Sequence, residues 1–279
     1  MSGLNVNQSI LFKVFKYSLY AFLAFNVYVF FAEEYAASFI QFPDGVQLGE
    51  ITEAYVATID TAAWVVLLLM FELETYVLED RHFNKAVTWT LQGTRALCYI
   101  FIVSAFLDYY NSLIFVQAVS PLAGISDLCR LAGEQWSYAV DFDEYVDITA
   151  ANCASLSTAS EFVQFNGLQA VVDQAGHKTI VWLAWTDVIN AGTWLLVVLV
   201  LEIDVRLQEH DKLQGTALKI SNVLKYVLYS ILVLALVYWG IDGDFVDSWD
   251  AFLWLLAFFF IELNVVEWRH ESEMSGEHL

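Results

Sequence analysis

Three glutamates occupy matching places in three copies of one pattern. The first copy reads Asp60-Thr-Ala-Ala-Trp64, then seven apolar residues, then Glu72-Leu-Glu74. The second reads Asn190-Ala-Gly-Thr-Trp194, seven apolar residues, then Glu202-Ile-Asp204. The third reads Asp250-Ala-Phe-Leu-Trp254, seven apolar residues, then Glu262-Leu-Asn264. Tryptophan is rare, so its identical spacing from the same polar types signals an internal repeat. Carboxylates set in apolar surroundings suit two tasks: they can pass cations or relay protons, or they can pair with buried bases.

A helix rises about 1.5 Å per residue, so each polar pair is about 18 Å apart along its axis. The hydrocarbon core of a bilayer is roughly 30 Å thick. At least one level of polar groups therefore lies inside it. Asp60, Asn190 and Asp250 form a candidate outer ring, and Glu72, Glu202 and Glu262 a candidate inner ring. Lys16, Arg95 and Lys225 are the expected ion-pair partners of the inner glutamates. Each precedes a tyrosine (Tyr20, Tyr99, Tyr229) by four residues near the cytoplasmic start of its own apolar segment. Ion pairs of this kind fix helix register more than they add net stability.

The elements that carry these groups are apolar runs. Six emerge, at about 10–32, 56–78, 95–117, 179–203, 220–240 and 247–266, each long enough for a spanning helix. Hydrophobic residues make up 58% of the chain and charged residues only 16%, which favours a membrane over a large soluble core. The first run is too long and too aromatic for a signal peptide and reads as an uncleaved helix. Pro43 and Pro121 both fall between runs, leaving the helices unbroken.

Lys13, Lys16, Arg81, Lys85, Arg95, Arg206, Lys212, Lys219, Lys225 and Arg269 fall on the side of the N-terminus, against Arg130 and Lys178 on the other. That bias places both termini in the cytoplasm and the chain in an inner (plasma) membrane. The expected fold class is all-α: a polytopic bundle of six transmembrane helices, built as three parallel-repeat helical hairpins. Residues 1–117 hold the first three helices. Residues 118–178 form an acidic extracytoplasmic segment, and 179–279 hold the last three helices and a short acidic tail.

The extracytoplasmic segment is an insertion between the third and fourth helices. It contains Cys129 and Cys153, which an oxidising compartment favours pairing; two buried thiols are the alternative. A segment this small needs a staple or packing against the bundle.

The net charge of −21 makes nucleic acid an improbable partner. The acidic outer surface draws cations instead. The expected partners are the lipid bilayer, cations, and another membrane or periplasmic protein. No catalytic nucleophile with a base, no zinc spacing and no cofactor motif is present, so neither enzyme chemistry, metal nor cofactor is expected. His82, His210 and His270 follow the second, fourth and sixth runs and read as solvated. Three tandem two-helix repeats resemble the mitochondrial carriers in outline, but no proline matches the carriers' Pro-x-Asp/Glu-x-x-Lys/Arg motif, so no family is implied. The leading expectation is a non-catalytic membrane scaffold, sensor or accessory subunit. The alternative is a cation or proton channel or transporter.

Overall fold

The computed structural model describes residues 6–74, 85–159, 161–209, 213–242 and 244–275. The chain is mostly helical. Its long helices are α1 (Val6–Gln41), α3 (Val56–Glu72), α4 (Lys85–Gln117), α6 (Gln174–Glu209), α7 (Thr216–Asp242) and α8 (Phe245–Ser275). Two single-turn helices, α2 (Ile51–Ala54) and α5 (Cys153–Leu156), lie in connections.

Four stretches are long and apolar enough to cross a membrane: Leu11–Gln41, Lys85–Gln117, Gln174–Gln208 and Thr216–Asp242. The second apolar run continues from α3 past the described residues. In α8 the side chains are described only to Phe260.

The chain divides into two compact units. One comprises residues 27–202. Within it α3 packs against α4, with Ala63, Cys98 and Ile102 buried together beside Trp64, Leu67, Phe101 and Leu195. Gly192 on α6 lets the Phe106 ring approach; a Cβ there would meet the ring at 3.2 Å. The other unit comprises residues 1–26 and 203–279. In it α7 packs against α8, and α8 packs against α1. Phe260 meets the rings of Phe12 (5.5 Å) and Phe15 (5.4 Å), and Trp249 meets Phe22 (6.1 Å).

Three helices bury the same register. Counted from Lys16 on α1, the buried positions are Leu19, Leu23 and Asn26. Counted from Arg95 on α4 they are Cys98, Ile102 and Ala105, and from Lys225 on α7 they are Leu228, Leu232 and Ala235. The steps of four and three residues trace one helical face. On the returning helices the residue before each tryptophan is buried (Ala63, Thr193, Leu253), and the residue five after it is exposed (Leu69, Leu199, Phe259).

The all-α expectation needs correction in the outer segment, which contains a five-stranded sheet. Its strands are β1 (Val119–Pro121), β2 (Ser137–Ala139), β3 (Tyr145–Asp147), β4 (Phe162–Phe165) and β5 (Ala170–Asp173), in the order β1-β4-β5-β2-β3. Only the β2–β5 pair is parallel. The β4–β5 hairpin turns at Asn166-Gly167, where Gly167 adopts φ +91°, a conformation glycine takes without a Cβ clash.

The sheet lies between two small cores. On one side Val163, Phe165, Ala170 and Val172 pack with Leu113 and Val116 of α4 and with Ile180 and Ala184 of α6. On the other, Phe162 and Val171 pack with Leu128, Leu131, Ile148 and Cys153. The second core carries the Cys129–Cys153 disulfide, with Cα atoms 4.8 Å apart. Asp173 joins the sheet to α6. Its Oδ1 accepts from the backbone N–H groups of Ala175 and Gly176 (2.8 Å each), and its Oδ2 accepts from the Tyr138 hydroxyl (2.9 Å). This is an aspartate N-cap, which satisfies orphan donors of the first turn.

Candidate functional site

Polar groups inside the apolar helices pair within each unit. In the unit of residues 27–202, Arg95 Nη2 donates to Glu74 Oε2 at 2.6 Å. In the other unit Lys225 Nζ lies 3.1 Å from Asp204 Oδ2, and the Ser221 hydroxyl donates to the same oxygen at 2.6 Å. The pairs differ in burial. Side-chain exposure is 42% and 26% for Arg95 and Glu74, but 19% and 10% for Lys225 and Asp204.

The acids brought to these bases stand two residues beyond the expected glutamates. In both pairs the acid stands 21 residues before its base: Glu74 just past α3 and Arg95 on α4, Asp204 on α6 and Lys225 on α7. Glu72 is buried, Glu202 is exposed, and the side chain of Glu262 lies outside the described residues. Lys16 is buried, with its ammonium 5.2 Å from the centroid of the Tyr17 ring. His82 and His210 lie outside the described residues, as does the side chain of His270.

Asp250 accepts from Asn26 Nδ2 at 2.7 Å and from the Trp254 side chain. The second bond gives the repeat a physical reason: the motif's first and fifth residues are one turn apart, so the indole N–H reaches back to the acid. Asn26, only 3% exposed, comes from α1. In the other unit the equivalent tryptophans meet, with the Trp64 and Trp194 ring centroids 6.3 Å apart. Asp60 and Asn190 stand one turn further out on the same helices. Asn190 Oδ1 and Asp108 Oδ2 are buried oxygens with no hydrogen-bond donor among the described residues; Asp108 also takes a bond from Thr52. Buried acceptors of this kind call for a water or a proton.

Glu34, which falls just past the first apolar run at 10–32 and so is expected in the loop that follows, is instead a further buried carboxylate. It lies on α1, and it accepts from Ala57 N–H (2.6 Å), Thr58 N–H (3.1 Å) and the Thr58 hydroxyl (2.6 Å). Tyr55 supplies no side-chain cap to α3, so the neighbouring helix provides one.

Outside the spans, the Tyr138 hydroxyl is pushed up to about 12, first by burial and then by the acceptor Asp173 beside it. Burial raises Tyr145 as well, with Asp143 and Asp141 adding to the effect. Glu53 is raised by burial and then by the carboxylates of Asp108 and Glu50.

Among the described residues no group of three His, Cys, Asp or Glu side chains is placed to hold a metal. The arrangement offers structural pairing and capping within each unit, and a few acceptor oxygens that a proton or water could meet. No protein family, curated protein or solved structure matches the chain.

Proposed function

We propose that the chain is a six-pass membrane protein of three in-and-out hairpins with both termini in the cytoplasm. On this reading it serves as a non-catalytic scaffold, sensor or accessory subunit of the plasma membrane. The repeat is supported by the common burial register of α1, α4 and α7 and by the recurring contact of a returning helix with the start of another hairpin. The observation that carries the functional reading is the core shared by the outer sheet and the ends of α4 and α6. A domain fused to two helices in this way presents a fixed surface outside the membrane. The cytoplasmic acids Glu74 and Asp204 are engaged by bases, which is a structural role.

Affinity purification of the full chain in a gentle detergent tests this. A stoichiometric partner protein is expected, held through residues 118–178. A monodisperse preparation containing this chain alone, under conditions that preserve membrane complexes, would contradict it.

A second reading is a cation or proton pathway, favoured by the buried acceptor oxygens of Asn190 and Asp108 and by the depth of Asp250. It requires Na⁺, K⁺ or H⁺ flux in proteoliposomes that falls in Asp60→Asn and Asp250→Asn. No flux at any pH removes it.

A further inference from the structure

We propose that the free edge of β3 is the docking strand for an extended, basic segment of a partner protein. The proposal rests on the outer domain being the partner-binding element and names the chemistry of what it binds.

Among the described residues β3 is the last strand of the sheet order and pairs only with β2. The phase of that ladder is fixed by its flanking bonds. Ile148 N–H donates to Trp136 O at 2.8 Å, and Val140 N–H donates to Glu144 O at 2.9 Å. In an antiparallel pair the bonded residues alternate, so 144, 146 and 148 face β2 while Tyr145 and Asp147 turn their backbone groups outward. Asn152 Nδ2 takes the Asp147 carbonyl at 2.8 Å. The edge is left with the N–H groups of Tyr145 and Asp147 and the carbonyl of Tyr145, a set an incoming strand can engage. The opposite edge differs: β1 ends at Pro121, which has no N–H to offer.

Side chains define the occupant. Val140 and Val146 are exposed at 45% and 37%, an apolar strip beside the edge. Asp141, Asp143, Glu144 and Asp147 crowd the same hairpin, and no Lys or Arg occurs between Arg130 and Lys178. A second copy of this chain would set acid against acid, which disfavours self-pairing. A strand that alternates basic and apolar residues answers both features: on one face its apolar side chains cover the valines, and on the other its bases meet Asp147.

The test uses the full chain in nanodiscs with an alternating Lys-Val peptide, and a Glu-Val peptide as its opposite. Binding is measured together with hydrogen exchange of the Tyr145 and Asp147 amides. The expected result is salt-sensitive binding of the Lys-Val peptide alone, with exchange slowed at those two amides. In Val146→Lys/Asp147→Lys the peptide should bind about tenfold more weakly, as the apolar strip is lost and the cross-strand charge pair is reversed. Asp147→Lys alone, at an exposed side chain, repeats the comparison if the double variant folds poorly. Binding that leaves the two amides unprotected, or that is as tight in the variants, overturns the proposal. A cellular partner that holds wild type and variants equally also overturns it, while leaving the scaffold reading intact. Recovery of no partner with any form of the chain overturns the scaffold reading itself.

Discussion

Glu74 and Arg95 meet at 2.6 Å, and the same separation along the chain brings Asp204 within 3.1 Å of Lys225. Two ion pairs, one in each unit, thus join α3 to α4 and α6 to α7. They share one spacing and differ chiefly in how much water reaches them.

That difference predicts unequal costs. Lys225→Ala strands Asp204 in a mostly buried site and should destabilise by about 3 kcal/mol. Arg95→Ala breaks a half-exposed pair and should cost about 1 kcal/mol or less. Reversible unfolding of both variants in the same detergent gives the comparison.

Glu34 holds the outer end of α3. Glu34→Ala leaves the N–H groups of Ala57 and Thr58 without their acceptor and should cost about 1–3 kcal/mol. Glu34→Gln keeps one acceptor oxygen and should recover part of the loss. Hydrogen exchange at Ala57 and Thr58 should quicken in the alanine variant before the rest of α3 changes.

The disulfide closes a loop of 24 residues around the second small core of the outer domain. Replacing both cysteines with serine should destabilise that domain by about 3 kcal/mol on the chain-entropy account. Limited proteolysis should then cut between residues 122 and 159 while the helices stay intact.

Tyr138 supplies a pH signature. Its folded pKa is raised from the usual value of 10 to about 12, so the neutral phenol is favoured by folding. Its contribution is therefore complete below pH 10 and is lost as pH rises from 10 through about 12. Absorbance titration of phenolate in wild type against Tyr138→Phe should show one late-titrating tyrosine missing from the variant.

How much of this was legible in sequence differs from residue to residue. The tryptophan spacing singled out Trp64 and Trp194, whose rings come together. The cysteine pair was legible because so few cysteines share one outer segment. The acids that meet Arg95 and Lys225 were not. A rise per residue gives depth along a helix but not the face, and positions two apart, such as Glu72 and Glu74, point about 200° apart around the axis. The sheet was hidden because its strands are three or four residues long, too short to show alternation. β5 adds to this, since Ala170, Val171 and Val172 are buried on both faces and read as a plain apolar run. Glu34 escaped because capping a neighbouring helix leaves no local motif.

The most direct test of a structural role for the submerged charges is exchange of one pair. Asp204→Lys and Lys225→Asp are made singly and together, and thermal stability is measured alongside cation flux in proteoliposomes. The account predicts that each single variant unfolds at a clearly lower temperature, that the double variant recovers most of the loss, and that no form conducts. Single variants with wild-type stability, together with a cation flux in the wild type that the substitutions change, would contradict it.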